Sequence, residues 1–324
     1  MLHFYMYCGL PASLKSTEIQ RFVNDIMPIA TEVVSSDAIR LDHGYEAGDI
    51  KDVFEIAQDR ILNSKAVNVI FDATNLRRKH RVNLLNKVKC KYPNATTHLI
   101  FHALTIKLCK YFNRQRTGAD KVPEFVYDRM LRGFDMPIKE EGWDDIVYKT
   151  VFDLEVGLES YSYIADEFIS VHGYDMRNFN QDNPHHTLDL HEHCQATLQY
   201  VIEHYKGFNR KEQQILRYAA GYHDIGKLLT KDYHTASGKP CNIAHYYGHE
   251  NVGAYLILSE SLALETYPSD MIISIAKLVN FHMKVSFSWA KAPYSKNTLN
   301  DKALFTTREL SMLELLGEAD RQAH

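Results

Sequence analysis

The sequence predicts two domains of different class: an N-terminal α/β domain with a parallel sheet over residues 1–150 and a C-terminal all-α domain over residues 183–324, joined by a connecting segment at 151–182. Three patterns predict this. From Leu2 to about Tyr148, short apolar strand-like runs alternate with helical patterns, the order that builds a parallel sheet. The run Asn178-Phe179-Asn180-Gln181-Asp182-Asn183-Pro184 is rich in turn residues and marks a boundary. Beyond it the periodicity is helical to the end.

The expected strands are His3 to Cys8, Glu32 to Ser35, Val67 to Asp72 and Thr97 to Ala103, each a short apolar run of the kind buried in a parallel sheet. The expected C-terminal helices are Leu188 to His204, Arg210 to Leu229, Gly248 to Leu262, Ser269 to Phe281 and Thr307 to Ala323. The 324 residues suffice for two cores, and 45% hydrophobic with 24% charged residues is the composition of a globular protein. No run approaches the roughly 20 apolar residues that span a bilayer, and Leu2 to Cys8 lacks the basic flank and cleavage site of a leader, so no membrane association is expected. Five scattered cysteines without a Cys-x-x-Cys pair argue against a disulfide framework or a zinc ribbon and fit a cytoplasmic location. A formal charge of −4 argues against a protein that coats nucleic acid non-specifically, without excluding a local basic site.

The chemistry of the first domain is read from its strand ends. The first strand delivers Gly9 into Gly9-Leu10-Pro11-Ala12-Ser13-Leu14-Lys15-Ser16-Thr17, and Lys15-Ser16-Thr17 opens a helix. In such a phosphate-binding loop, loop and helix N–H groups surround the phosphates, the lysine reaches the β and γ groups and the hydroxyl holds Mg²⁺. Leu14 stands where the second glycine of the motif belongs, and a leucine takes φ > 0 only at a cost, which predicts a reshaped or impaired loop. Asp37 and Arg40 follow the second strand at a spacing that lets both face one cleft, and Asp72 closes the third strand where a Mg²⁺-supporting acid would stand. Basic residues Arg77, Arg78 and Arg81 follow, with Arg114 and Arg116 ahead of the Val122-Pro123 segment and Arg129 and Arg132 beyond it. Arginines in that second group could close over a triphosphate, whereas a basic run is also the composition of any solvated helix face.

The second domain carries most of its chemistry in histidine. Of 17 histidines in the chain, His193, His223, His249 and His282 fall near predicted helix ends, together with the doublet His223-Asp224 and with Asp320. Any single histidine reads better as a packed structural residue; the ordered set of imidazoles and carboxylates points to divalent metal ligation. Ligands of this type suit Mn²⁺, Fe²⁺, Co²⁺, Ni²⁺ and Zn²⁺. Lys227 reads as a phosphate contact or a helix-end lysine, and His185, His186, His191 and His245 are further candidates without an assigned role.

Over about the first 140 residues the order Gly-x-Pro-x-Ser-x-Lys-Ser-Thr, Asp-x-x-Arg and Asp-x-Thr-Asn-Leu, followed by arginines, resembles the 5′-polynucleotide kinase domain of phage and bacterial nucleic-acid repair enzymes, a P-loop phosphotransferase. Residues 183–324 are similar to the HD phosphohydrolase superfamily, with a second likeness to HD domains of tRNA nucleotidyltransferases in Asn183-Pro184-His185-His186 and Tyr246-Tyr247-Gly248-His249-Glu250. The first resemblance implies ATP with Mg²⁺ as cofactor. Gly9, Ser13, Lys15, Ser16 and Thr17 would hold the phosphates, Ser16 would ligate Mg²⁺, and Asp37 would be the general base. Arg40 would hold the acceptor phosphate, Arg77, Arg78 and Arg81 would contact nucleic acid, and Arg114 or Arg116 would belong to a lid. Ala12 and Leu14 depart from the glycines usual in that family. The second resemblance implies one metal on His193, His223, Asp224 and Asp320, and a second on His249 and His282 with Asp224 bridging.

Together the two halves are expected to heal broken nucleic-acid ends, RNA being favoured and tRNA a candidate: one adds a phosphoryl group to a 5′-hydroxyl, the other hydrolyses a 2′,3′-phosphate with metal-activated water. A separate ligase is a candidate partner. Two other readings stay open, a small-molecule nucleoside kinase joined to a nucleotidase, and an HD phosphohydrolase beside a non-catalytic nucleotide-binding or RNA-binding P-loop module.

Overall fold

The computed structural model describes residues 1–25, 30–44, 50–118, 121–154, 174–184, 187–262 and 267–323. His185 and His186 lie outside the described residues.

The N-terminal sheet has five parallel strands, β1 (His3–Cys8), β2 (Thr31–Ser35), β3 (Asn68–Asp72), β4 (Thr96–His102) and β5 (Asp145–Lys149), in the order β2-β3-β1-β4-β5. Parallel pairing aligns Tyr7 with Asp72 and Cys8 with Phe101, so the strands end together and their following loops gather at one edge, where open α/β sheets bind ligands. Helices α1 (Lys15–Asp25), α2 (Ser36–His43), α3 (Ile50–Asn63), α4 (Arg78–Lys91), α5 (Ile106–Arg114) and α6 (Glu124–Arg132) fill the connections. Burial on both faces explains why the central strands read as continuous apolar runs. On one face α1 lays Ile19, Phe22 and Val23 against Tyr5, Tyr7, Ile70 and Ile100. On others, Phe54 of α3 meets Phe71 edge-on and Phe4 stacks on Trp143.

The sequence pattern finds β1 to β4 and misses β5. That strand is partly exposed along its length and has a charged residue at each end, so it lacks the apolar signal of the interior strands. Its neighbour in space, Glu141, receives the Arg81 guanidinium through both Nε (2.9 Å) and Nη2, while Arg81 Nη1 donates to the Asn75 carbonyl at 2.9 Å. Trp143 Nε1 donates to the same carboxylate at 3.1 Å. Arg81 is fully buried, so it cannot serve as the nucleic-acid contact expected of it. Its charge is instead balanced by Glu141, and together they pin the turn after β3.

The helical part consists of α7 (Leu190–His204), α8 (Arg210–Tyr222), the short α9 (Lys227–Thr230), α10 (His249–Leu256), α11 (Ser269–Met283), α12 (Lys296–Lys302) and α13 (Thr307–Gln322). Three starts are fixed by reciprocal capping, Asp189 with Glu192, Asn209 with Glu212 and Thr306 with Glu309, each satisfying backbone donors that a helix leaves open. α7 packs on α8 and α13, and α11 on α8 and α10. Two expectations are corrected. The helix anticipated from Arg210 to Leu229 stops at Tyr222, and the region is not purely helical, because β6 (Asp232–His234) and β7 (Pro240–His245) form an antiparallel hairpin. β6 has only three residues, and β7 is largely exposed with polar residues among its apolar ones, so neither writes an apolar run. No described helix is long and apolar enough to cross a membrane.

Contacts divide the chain into two compact units, one within Met1–Tyr127 and Pro137–Glu167 and the other within Asp128–Met136 and Phe168–His324. Segment 128–136 is built into the helical unit. Asn251 Nδ2 donates to the Arg132 carbonyl at 2.7 Å, Arg132 pairs with Asp232 at 3.3 Å, Phe134 packs edge-on against Tyr255, and the Met136 N–H donates to Asn280 Oδ1 at 3.4 Å.

Arg81→Ala leaves Glu141 buried without its main counter-charge and is expected to cost about 3–5 kcal/mol in urea unfolding. A loss of RNA affinity with unchanged stability would instead return Arg81 to a ligand-binding role.

Candidate functional site

In the sheet unit, the loop between β1 and α1 closes on itself. Lys15 Nζ donates to the carbonyls of Gly9 (3.1 Å) and Leu10 (2.8 Å) and to Ser13 Oγ (3.3 Å). Burial lowers the Lys15 pKa, against the Asp72 and Asp37 carboxylates that raise it. Ser16 Oγ donates to Asp72 Oδ2 at 2.7 Å, which couples the helix hydroxyl to the acid at the end of β3, the pair that a Mg²⁺ ion with a nucleotide would need. Thr17 is exposed beside it in the first turn of α1. Gly9 has φ +154°, and a Cβ there would lie 2.7 Å from Ser13 Oγ and 3.1 Å from His102 Cβ, so this position requires glycine.

The loop is not reshaped to spare its other residues. Ala12 (φ +56°) and Leu14 (φ +64°) both take the left-handed conformation, at roughly 1–2 kcal/mol each for an L-residue. Neighbouring groups hold the strain. Tyr127 Oη donates to the Pro11 carbonyl at 3.1 Å, the Gly9 N–H donates to the Thr74 carbonyl at 3.0 Å, and His102 Nδ1 donates to the Ser13 carbonyl at 2.7 Å. The other nitrogen of the His102 ring meets Glu18, whose second oxygen lies 3.3 Å from Lys149 Nζ. Burial raises the Glu18 carboxyl, but His102 and Lys149 outweigh it and hold the group below its ordinary value.

Asp37 and Arg40 lie in the first turns of α2 and pair at 2.7 Å, with the Asp37 side chain 82% exposed and open to an acceptor. Arg114 ends α5, and Asn113 closes the following loop by bonding Val122 through both its amide groups, leaving Arg114 exposed and Arg116 half-buried. Arg77 is exposed at the start of α4, and Arg78 lies 3.5 Å from Glu141. Sequence reasoning missed His102, Glu18 and Tyr127. A strand-end histidine and a helix glutamate carry no motif, so no local pattern announces them.

In the helical unit five elements converge. His193 comes from α7, His223 and Asp224 from the end of α8, His249 from the first position of α10, His282 from α11 and Asp320 from α13. Ligand atoms of His193, His223, Asp224 and Asp320 lie within 4.8 Å of one another, as do those of Asp224, His249 and His282. Each imidazole gives its Nδ1 to a backbone carbonyl, of Ala323, Ala220, Tyr246 and Val279 respectively, at 2.7–2.9 Å. All four Nε2 atoms therefore turn inward, toward the carboxylates and one another. Asp224 divides them: Oδ2 faces His193 (3.3 Å) and His223 (3.4 Å), while Oδ1 faces His249 (2.9 Å) and His282 (3.6 Å). Asp320 Oδ1 completes the first group, 3.1 Å from His193 and 3.4 Å from His223.

Nε2 atoms face each other at 3.2 Å in His193–His223 and 3.3 Å in His249–His282, a contact that needs a proton or a cation between two lone pairs. Burial lowers the His193 pKa, but Asp224 and Asp320 outweigh it and push it up to about 9. The Asp224 carboxyl, which burial would raise, is held well below the usual range by Lys227, His223 and His249. The donor spacings match the roughly 3.3 Å edge of a tetrahedron with metal–nitrogen bonds of about 2.0–2.1 Å. The residues thus fit two divalent metals sharing Asp224. Lys227, itself buried, pairs with Asp224 at 2.7 Å and donates to Gln181 Oε1 at 2.8 Å. Gln181 is a further site neighbour that the sequence pattern does not reveal. Gly226 is what lets the helices meet, since a Cβ there would sit 2.0 Å from the His249 carbonyl oxygen.

A family model described as an AAA domain matches residues 4–137. The match spans the phosphate loop and Asp72 and supports a P-loop, ATP-binding domain of kinase-like, phosphotransferase character. No curated protein matches the chain significantly.

Gly226→Ala is expected to displace His249 and to weaken Mn²⁺ binding at least about tenfold by calorimetry, whereas an unchanged isotherm would mean that His249 is not a ligand. A second expectation concerns Glu18. Its depressed pKa contributes stability that is present above the unfolded carboxylate value and lost as the pH falls through the folded one. Glu18→Gln should therefore cost about 2 kcal/mol at pH 7 and progressively less on acidification; a pH-independent difference in unfolding free energy would contradict it.

Proposed function

We propose that the chain is a bifunctional nucleic-acid end-healing enzyme, a 5′-hydroxyl polynucleotide kinase joined to an HD-type phosphohydrolase. One observation carries the reading: a phosphate loop whose serine is bonded to a strand-end aspartate shares a chain with six histidine and aspartate ligands divided by the two oxygens of Asp224.

In the kinase half, the N–H groups of the loop and Lys15 hold the β and γ phosphates of ATP, and Ser16 with Asp72 would hold Mg²⁺. Asp37, exposed at the start of α2, accepts the proton of the 5′-hydroxyl as its oxygen bonds to the γ-phosphorus and ADP leaves. Arg40 restrains the Asp37 carboxylate and can turn to the phosphate next to the acceptor. Arg114, the last residue of α5, and Arg116 just beyond it would stabilise the charge of the transferring group. In the hydrolase half, His193, His223, Asp320 and Asp224 would hold one metal and His249, His282 and Asp224 the other. Such ions polarise a phosphoester and lower the pKa of water. Addition of water to phosphorus then breaks one ester bond of a 2′,3′-phosphate and releases the ribose hydroxyl. Lys227 steadies the Asp224 carboxylate through Oδ2, the oxygen shared with His193 and His223, and lies within one hydrogen-bonded step of Gln181.

Burial of Arg81 removes one phosphate contact from the polymer case and gives weight to small nucleotides as substrates of the same two sites. Length dependence separates the two readings. With a short RNA carrying a 5′-hydroxyl and a 2′,3′-cyclic phosphate, ATP and Mg²⁺ or Mn²⁺, the unsubstituted protein is expected to modify both ends. Lys15→Ala should abolish 5′ labelling alone and Asp224→Ala should abolish 3′ hydrolysis alone, each by at least about 10²-fold. Equal turnover of a free nucleoside would favour the small-molecule reading, and inertness at both RNA ends would remove end healing.

A further inference from the structure

We propose that His102 is the positioning residue of the phosphate loop, supplying through a side chain the backbone definition that glycines supply in other loops; the inference rests on the reading of Gly9–Thr17 as the triphosphate site. His102 ends β4 and is fully buried. Its Nδ1 donates to the carbonyl of Ser13 at 2.7 Å, and Ser13 stands between the two left-handed residues Ala12 and Leu14. A peptide group is planar and trans, so its C=O and N–H point in opposite directions. Drawing the Ser13 carbonyl onto His102 therefore turns the Leu14 N–H to the other side of the loop, the direction from which such loops receive phosphate oxygens. Ser13 itself cannot move aside, because it is fully buried and its Oγ accepts from Lys15.

The ring is braced as well as bonded. Its Nε2 side meets Glu18 in the first turn of α1, and Glu18 is held in turn by Lys149 at the end of β5. One imidazole thus connects the loop, the helix that the loop opens into and two strand ends. Gly9 belongs to the same packing unit, because only a residue without Cβ leaves room for the His102 side chain at 3.1 Å. In this arrangement Leu14 keeps a conformation that a leucine on its own would leave, and the position is tolerant of glycine only in the sense that glycine no longer needs the clamp.

The test measures ATP·Mg²⁺ binding to the full chain by calorimetry, with far-UV circular dichroism and thermal unfolding as controls of folding. The unsubstituted protein is expected to bind. His102→Ala should weaken binding about tenfold or more, and His102→Asn, whose amide nitrogen can occupy the place of Nδ1, should stay within about threefold. Adding Leu14→Gly to His102→Ala should recover at least about threefold of the loss, an effect that a residue needed only for folding would not produce. Should His102→Ala fail to fold, His102→Gln replaces it. Its amide reaches the Nε2 position and not Nδ1, so it should bind distinctly more weakly than His102→Asn. Wild-type affinity in a folded His102→Ala, no recovery on adding Leu14→Gly, or equal affinities of the Asn and Gln variants would each overturn the positioning role. Absence of ATP binding by the unsubstituted protein would remove the phosphate-loop reading and this inference with it.

Discussion

The helical unit is organised around a carboxylate that water does not reach. Asp224 carries negative charge in a setting where an isolated ion would be strongly disfavoured. Every element around it answers that charge. Lys227 approaches from its own turn, and four imidazoles arrive from helices that are far apart in sequence. His223, His249 and His282 are each oriented by the carbonyl three residues before them, and His193 by the carbonyl of Ala323, just past α13. The close approach at Gly226 follows from the same requirement, since His249 reaches Asp224 only if α10 begins almost in contact with the turn after α8. Packing and chemistry are thus one constraint here, and the order of helices is the means of satisfying it.

The sheet unit solves a different problem. Its parallel strands end together, which places Gly9, Asp37, Asp72 and His102 at one edge without any of them being near in sequence. The loop at that edge departs from a glycine-rich composition and keeps a glycine-like backbone. Strain of this kind persists where surrounding groups over-determine the conformation. Here the determinants are hydrogen bonds from β4, from Tyr127 and from the turn after β3, which the buried Arg81–Glu141 pair makes rigid.

What could be read in the sequence follows from the range of each interaction. The interior strands β1, β3 and β4 are legible because burial writes an apolar run; the edge strand β2 keeps a short one in Val33-Val34, whereas the edge strand β5 sets Ile146, Val147 and Tyr148 between charged ends and is partly exposed throughout. The phosphate loop is legible because Lys15 and Ser16 must lie at fixed offsets from Gly9 to serve one ligand. The ordered histidines and aspartates are legible as a set, and the structure brings all six together. Their division between the two oxygens of Asp224 depends on how helices cross, which no spacing encodes. Arg81 was misread for the same reason: a basic run looks solvated until its partner, Glu141, arrives from 60 residues further along. His102, Glu18 and Gln181 were invisible because each acts through contacts with residues distant in sequence and belongs to no local motif.

The way the chain is divided has a practical consequence for dissection. Residues 128–136 belong to the helical unit, although a stretch assigned to the sheet unit follows them. The polypeptide therefore enters the helical unit, leaves it and returns, and no single cut separates the two. A fragment beginning after the sheet would lack the backbone groups that Asn251 and Asn280 engage and the ring that packs on Tyr255. It would expose a slot beside α10 and α11, the helices that carry His249 and His282, so an inactive fragment would be evidence of an unfilled groove before it was evidence about catalysis.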